Sequence, residues 1–83
     1  MLLSQLPLGQ PAVVTCLTRT SADMDDALLR RLGDLGFIEG EPLQLLRRGP
    51  GGREPLAVQV GETLFALRLL EAQCIEVQLV EAQ

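Results

Sequence analysis

DMDDALLRRLGDLGFIEG, from Asp23 to Gly40, is the stretch on which the reading of this chain turns. Apolar residues recur at Met24, Leu28, Leu32 and Leu35, at intervals of four, four and three. That spacing lays one stripe along a helix of 3.6-residue period. Asp23 stands where a short acidic side chain accepts from the first free amides. Asp25 and Asp26 meet the positive end of the helix dipole. Arg30 and Arg31 lie toward the other end, where cations are favoured. Gly36 follows the last stripe residue, the place of a left-handed helix terminator. The helix is expected to end there.

On either side the pattern changes to short alternating runs. Upstream, Ala12–Thr18 is rich in Val and Thr and reads as a strand. Its faces, Ala12/Val14/Cys16 and Val13/Thr15/Leu17, are both fairly apolar. Before it, Pro7, Gly9 and Pro11 prevent any long element, so Leu3, Leu6 and Leu8 are expected to pack on the core as a one-turn cap. Arg19–Ser21 is the loop into the helix. Downstream, Pro42 opens a second strand, and GPGGREP (Gly49–Pro55) forces an exposed loop. Leu56, Val58 and Val60 alternate as a half-buried strand, Gly61-Glu62 suits a tight hairpin turn, and Thr63–Leu67 returns. Arg68–Gln73 has helical composition and room for one or two turns. The last run puts Ile75, Val77 and Leu79 on one face, with Glu76 and Gln78 on the other. By the same parity Cys74 falls on the outer face.

About five short strands, one inserted helix and a short helix before the last strand make a mainly β fold with α, a small closed or nearly closed SH3-like barrel. At 83 residues the chain is read as a single domain, 1–83. A chain this short buries only ~60% of its unfolded surface, so its core must be dense in apolar residues. Its 47% hydrophobic content meets that need. Eleven acidic residues against seven basic ones, with no Trp or Tyr, argue against nucleic acid as a partner. No secretory signal and no run of ~20 apolar residues is present, and the protein is expected in the cytoplasm. Cys16 and Cys74 read as two reduced thiols. With no histidine and two cysteines, neither a metal site within one chain nor an activated nucleophile is expected. No cofactor is expected either. The Gly49–Gly52 run lacks the GxxxxGKS/T spacing of a phosphate loop.

Several segments, taken in one register, carry a resemblance. Leu3-x-x-Leu6-x-x-Gly9, Arg31-Leu32-x-x-Leu35-Gly36 and Gly40 come first. Pro50, Pro55-Leu56, Val58, Val60, Gly61, Leu64-x-Ala66-Leu67-Arg68, Glu71-Ala72, Ile75 and Val77 follow. Together they resemble the ferrous iron transport protein A (FeoA) family. Glu39, Gly49 and Gly52–Pro55 depart from its commoner residues, all of them in turns. The resemblance implies an SH3-like barrel with an inserted helix and a cytoplasmic helper of FeoB, the GTPase-coupled ferrous iron transporter. The protein would not be an enzyme, and would meet the membrane only through that partner. The alternatives are a metal-responsive transcription-regulator module, since such repressors carry similar domains, and a GTPase-activating protein using an exposed arginine. A homodimer is also open.

Five residues stand out as partner-binding candidates. Leu29 lies about 100° off the stripe. It either covers the flank of the core or joins Phe37 in an exposed apolar edge. Gly33, mid-helix, costs ~1 kcal/mol relative to Ala, which close approach of another backbone would explain. Arg30 and Arg53, with Arg47 and Arg48, are candidates for reaching a partner's phosphates. Arg68 and Glu71 are spaced to pair along the short helix.

Overall fold

A computed structural model of the chain describes residues 1–18 and 26–80. Its strands are Pro11–Leu17 (β1), Pro42–Arg48 (β2), Leu56–Val60 (β3), Thr63–Leu67 (β4) and Ile75–Leu79 (β5). Its helices are Asp26–Leu35 (α1) and Leu69–Ala72 (α2). All strand pairs are antiparallel, in the order β4-β3-β2-β1-β5. The expected plan is therefore met: α1 is inserted between β1 and β2, and α2 leads from edge strand β4 to the opposite edge strand β5. All five strands contribute to a single core, so the sheet curls around it.

Two bulges decide which side chains face inward. In β1 the register with β5 shifts between Val14 and Cys16. Ala12 and Val14 are buried, but Cys16 leaves their row and is exposed. In β2 the register with β3 shifts between Leu45 and Arg47. Leu46 is the extra residue and stands exposed, while Arg47 lies opposite Ala57. A bulge adds one residue to one strand and so breaks strict alternation beyond it.

The lead-in caps the core with two residues and not three. A 3-10 turn over Leu3–Gln5 helps bury Leu3 and Leu6, but Leu8 is 55% exposed. After Pro7 the chain enters a turn at the rim, where Gly9 donates its N–H to the Leu45 carbonyl. Arg48 pins the lead-in to β2, its Nη2 donating to the carbonyls of Ser4 (2.8 Å) and Leu6 (3.3 Å). Three other expectations need correction. Leu79 is partly exposed because β5 outruns the core at its end. Cys74 is buried because it lies in the turn out of α2, before strand parity begins, and its Sγ–H donates to the Leu70 carbonyl. Arg68 and Glu71 meet through the backbone, the Arg68 N–H donating to Glu71 Oε1 at 2.8 Å. Glu71 thus closes the first turn of α2, and Glu54 caps the next amide, Leu69 N–H, at 2.9 Å.

The described part of α1 starts at Asp26. The expected Asp23 cap, Met24, Asp25 and the loop Arg19–Ser21 lie outside the described residues. Leu32 is fully buried and Leu28 half-buried, as the stripe requires. The end of the helix explains the rest. Gly36, at φ +118°, donates its N–H to the Gly33 carbonyl, and Phe37 N–H reaches the Leu32 carbonyl, both at 3.1 Å. This pair of bonds is the Schellman termination, in which the second residue past the helix folds back onto its last turn. Phe37 is therefore buried with Leu32, and Leu35 is left 37% exposed at the rim.

Candidate functional site

The termination of α1 relocates the apolar edge. Of the two readings of Leu29, one joins it to Phe37 in an exposed apolar edge, but Phe37 has no exposed area and its ring lies 5.5 Å from that of Phe65. The Schellman bonds carry Phe37 inward, so it belongs to the core and not to a partner surface. Leu29 is half-buried and packs on the core, which favours the flank-covering reading. What stays exposed here is Leu35 and, just past Phe37, Ile38 at 52%. The order Gly36-Phe37-Ile38 holds the signal that sequence reading missed. Only one of two apolar residues after a helix-ending glycine can take the inward position, and the next is turned out.

Gly33 has no backbone crowding it. A β-carbon there would find, among the described residues outside its own helix, only Leu17 Cδ1 at 3.9 Å. The barrel therefore does not require glycine at this position. Arg30 is exposed on α1, one turn before Asp34. Arg31 and Arg68 both line a groove of about 460 Å³, with Leu28, Ala66, Leu70 and Glu71. Arg53 lies exposed on the loop between β2 and β3. The five candidates thus divide: Arg30 and Gly33 on the helix, Leu29 on its core flank, Phe37 inside, and Arg53 elsewhere. Of the other arginines, Arg48 is occupied in holding the lead-in.

Cys16 and Glu76 meet across β1 and β5. The exposed Cys16 thiol donates to Glu76 Oε2 at 3.0 Å. That hydrogen bond to Glu76, helped by desolvation and by the carboxylate's charge, raises the Cys16 pKa above its ordinary value. Since the folded-state value exceeds the unfolded one, the pair's stabilisation is present below the ordinary thiol range. It is lost as pH rises through the raised value. Only the thiolate is nucleophilic. At pH 8, Cys16 is expected to react with iodoacetamide more slowly than free cysteine, and Glu76→Gln is expected to speed it. Equal rates in the two proteins would contradict this account. Among the described residues, no group of three or more Cys, Asp or Glu side chains is placed to hold a metal ion. Cys16 and Glu76 supply two donors at most.

Comparison with known proteins supplies the family. The sequence model of the FeoA domain matches residues 1–79. FeoA of Stenotrophomonas maltophilia is 49% identical, with a TM-score of 0.81 over 94% of this chain and 89% of that one. That protein was solved in complex with zinc. It is described as a prokaryotic SH3 domain protein and a candidate activating factor for bacterial ferrous iron transport. FeoA of Chlorobium tepidum is 35% identical, with a TM-score of 0.83 over all of this chain and 73% of that one. A manganese-dependent transcriptional repressor, 21% identical, matches 90% of this chain with 39% of its own length at a TM-score of 0.72, a likeness of fold alone. No curated protein matches the sequence at a significant level.

Proposed function

The chain belongs to the FeoA family, associated with ferrous iron transport, and from this we propose that it is a non-enzymatic accessory protein that binds and modulates the cytoplasmic part of FeoB. The apolar edge at the end of α1 is the observation that carries this reading. Leu35 and Ile38 stand exposed at the end of α1, and Gly33, earlier on the same helix, is half-buried. Exposed apolar residues mark interaction surfaces, and a glycine near them lets a partner's backbone come close. Modulation then requires that the edge bind one state of the transporter better than another, since only a difference in affinity shifts an equilibrium. Among the described residues no helix is long and apolar enough to cross a membrane.

The test is an NMR titration of the labelled chain with the transporter's GTPase region, in GDP and in a GTP analogue. Shifts are expected at Leu35, Ile38 and Gly33, stronger in one nucleotide state, and Ile38→Asp is expected to abolish them without unfolding. No shift in either state would remove the GTPase region as partner. Gly33→Ala sharpens the test. It is expected to stabilise the free protein by up to ~1 kcal/mol, because the helix gains and, among the described residues, the methyl group meets only an ordinary contact with Leu17 Cδ1. It is also expected to weaken binding. A variant that is more stable and binds equally well would place the contact elsewhere.

A further inference from the structure

The outer face of the sheet carries a second surface. Arg47, Ala57 and Ala66 lie directly opposite one another on β2, β3 and β4. Strands are spaced ~4.8 Å apart, so two adjacent methyl groups in one row leave a trough where larger side chains would fill the surface. A groove of about 560 Å³ occupies this place, with Ala57 and Ala66 along it, Pro50 and Pro55 of the β2–β3 loop beside it, and Arg47 and Arg48 at its basic end. It reaches edge strand β4, whose outer side pairs with no other described strand.

Its wall is already built. Gly49 N–H donates to the Arg53 carbonyl at 3.2 Å and Gly52 N–H to the Gly49 carbonyl at 2.9 Å. Glu54 ties the same loop to α2 through the Leu69 amide. A preformed wall lowers the ordering cost of binding. Charge is concentrated here as well. Three of the seven basic residues of an otherwise acidic chain fall between positions 47 and 53. Arg48 is spent on the lead-in. Arg47 and Arg53 are exposed, and among the described residues their guanidinium groups make no hydrogen bond or ion pair.

We propose that this groove takes an extended acidic segment of a partner protein, with an apolar side chain over Ala57 and Ala66, a carboxylate facing Arg47, and a second reaching Arg53 on the adjoining loop outside the groove's lining. Guanidinium groups match carboxylates in a two-pronged geometry, and an extended segment suits an open strand edge. The apolar floor disfavours a bare inorganic anion. Two free arginines on a chain of net charge −4 disfavour a nucleic acid.

The probe is the acetylated, amidated heptapeptide EDLVLDE, titrated into the labelled full chain to about 5 mM, the range of weak single-segment binding. KRLVLRK and sodium triphosphate serve as controls. Saturable amide shifts at Arg53, Ala57 and Ala66 are expected with the acidic peptide alone. Arg47→Glu is expected to weaken binding about tenfold or more, as reversing a contacting charge does. Ala66→Leu is expected to block the trough, and Arg53→Glu gives a second charge test should Arg47→Glu lose its fold. The proposal is overturned by any of four results. They are absence of shifts, equal shifts with the basic peptide, the same shifts with triphosphate alone, and shifts that appear on concentrating the protein without peptide. The last would assign the groove to a second copy of this chain.

Discussion

Replacing Phe37 with alanine is expected to cost about 3–5 kcal/mol, the range for truncating a fully buried aromatic side chain. Phe37 is the largest fully buried side chain of the core, and it packs beside Phe65 at a ring separation of 5.5 Å. For a domain of this size total stability is about 4–12 kcal/mol, so the loss is a large share of it. The midpoint of thermal unfolding should fall by roughly 12–40 °C, at about 4–8 °C per kcal/mol for a chain this short. The substitution is clean because the helix-ending bond uses the Phe37 amide, which alanine keeps. Loss of α1 termination therefore cannot account for the drop. Phe65 is only half-buried, and Phe65→Leu is expected to cost much less. A loss below about 1 kcal/mol for Phe37→Ala, the level of a surface change, would mean that Phe37 is not seated in the core.

Phe37 also marks how far the sequence could be read. The periodic signals were strong: strands β2 to β5, the α1 stripe and the short α2 each lie where alternation, turn residues and helical spacing place them. Those signals are local, set by residues a few positions apart. Side-chain direction at the ends of elements is not. Phe37 points inward because two hydrogen bonds reach back across the end of α1, and Cys16 points outward because a bulge in β1 shifts it out of the Ala12/Val14 row. Cys74 escapes strand parity because it precedes the strand. The candidate site was legible to the same extent. Arg30 is exposed and Gly33 half-buried on the helix, but the exposed apolar residues are Leu35 and Ile38, one position either side of Gly36-Phe37. The row Arg47–Ala57–Ala66 joins residues nine or more positions apart, so no window along the chain contains it.

Gly49→Ala tests the same distinction through the sign of its effect. Gly49 has φ −72° and ψ −171°, extended backbone that alanine adopts freely. Judged by conformation alone, the change should stabilise by about 0.4–1 kcal/mol, because alanine has fewer unfolded states to lose. The fold says the opposite. A β-carbon at Gly49 would collide with the backbone carbonyl of Glu54 and crowd the nitrogen of Pro55. These are main-chain atoms, unable to rotate aside as the tip of a side chain could. The loop is further held by the Gly49–Arg53 and Gly52–Gly49 bonds, and by Glu54 capping Leu69. Overpacking of this kind typically costs 1–3 kcal/mol, which outweighs the unfolded-state gain. A fall in the thermal midpoint of roughly 5–15 °C is expected. Amide shifts at Leu69 and Leu70 should accompany it, because moving Glu54 disturbs the first turn of α2. Gly33→Ala, whose methyl group would make only an ordinary contact with Leu17, should move the midpoint the other way. Were both substitutions to raise it, the close approach of Gly49 to Glu54 would be wrong, and with it the rigid wall of the outer groove.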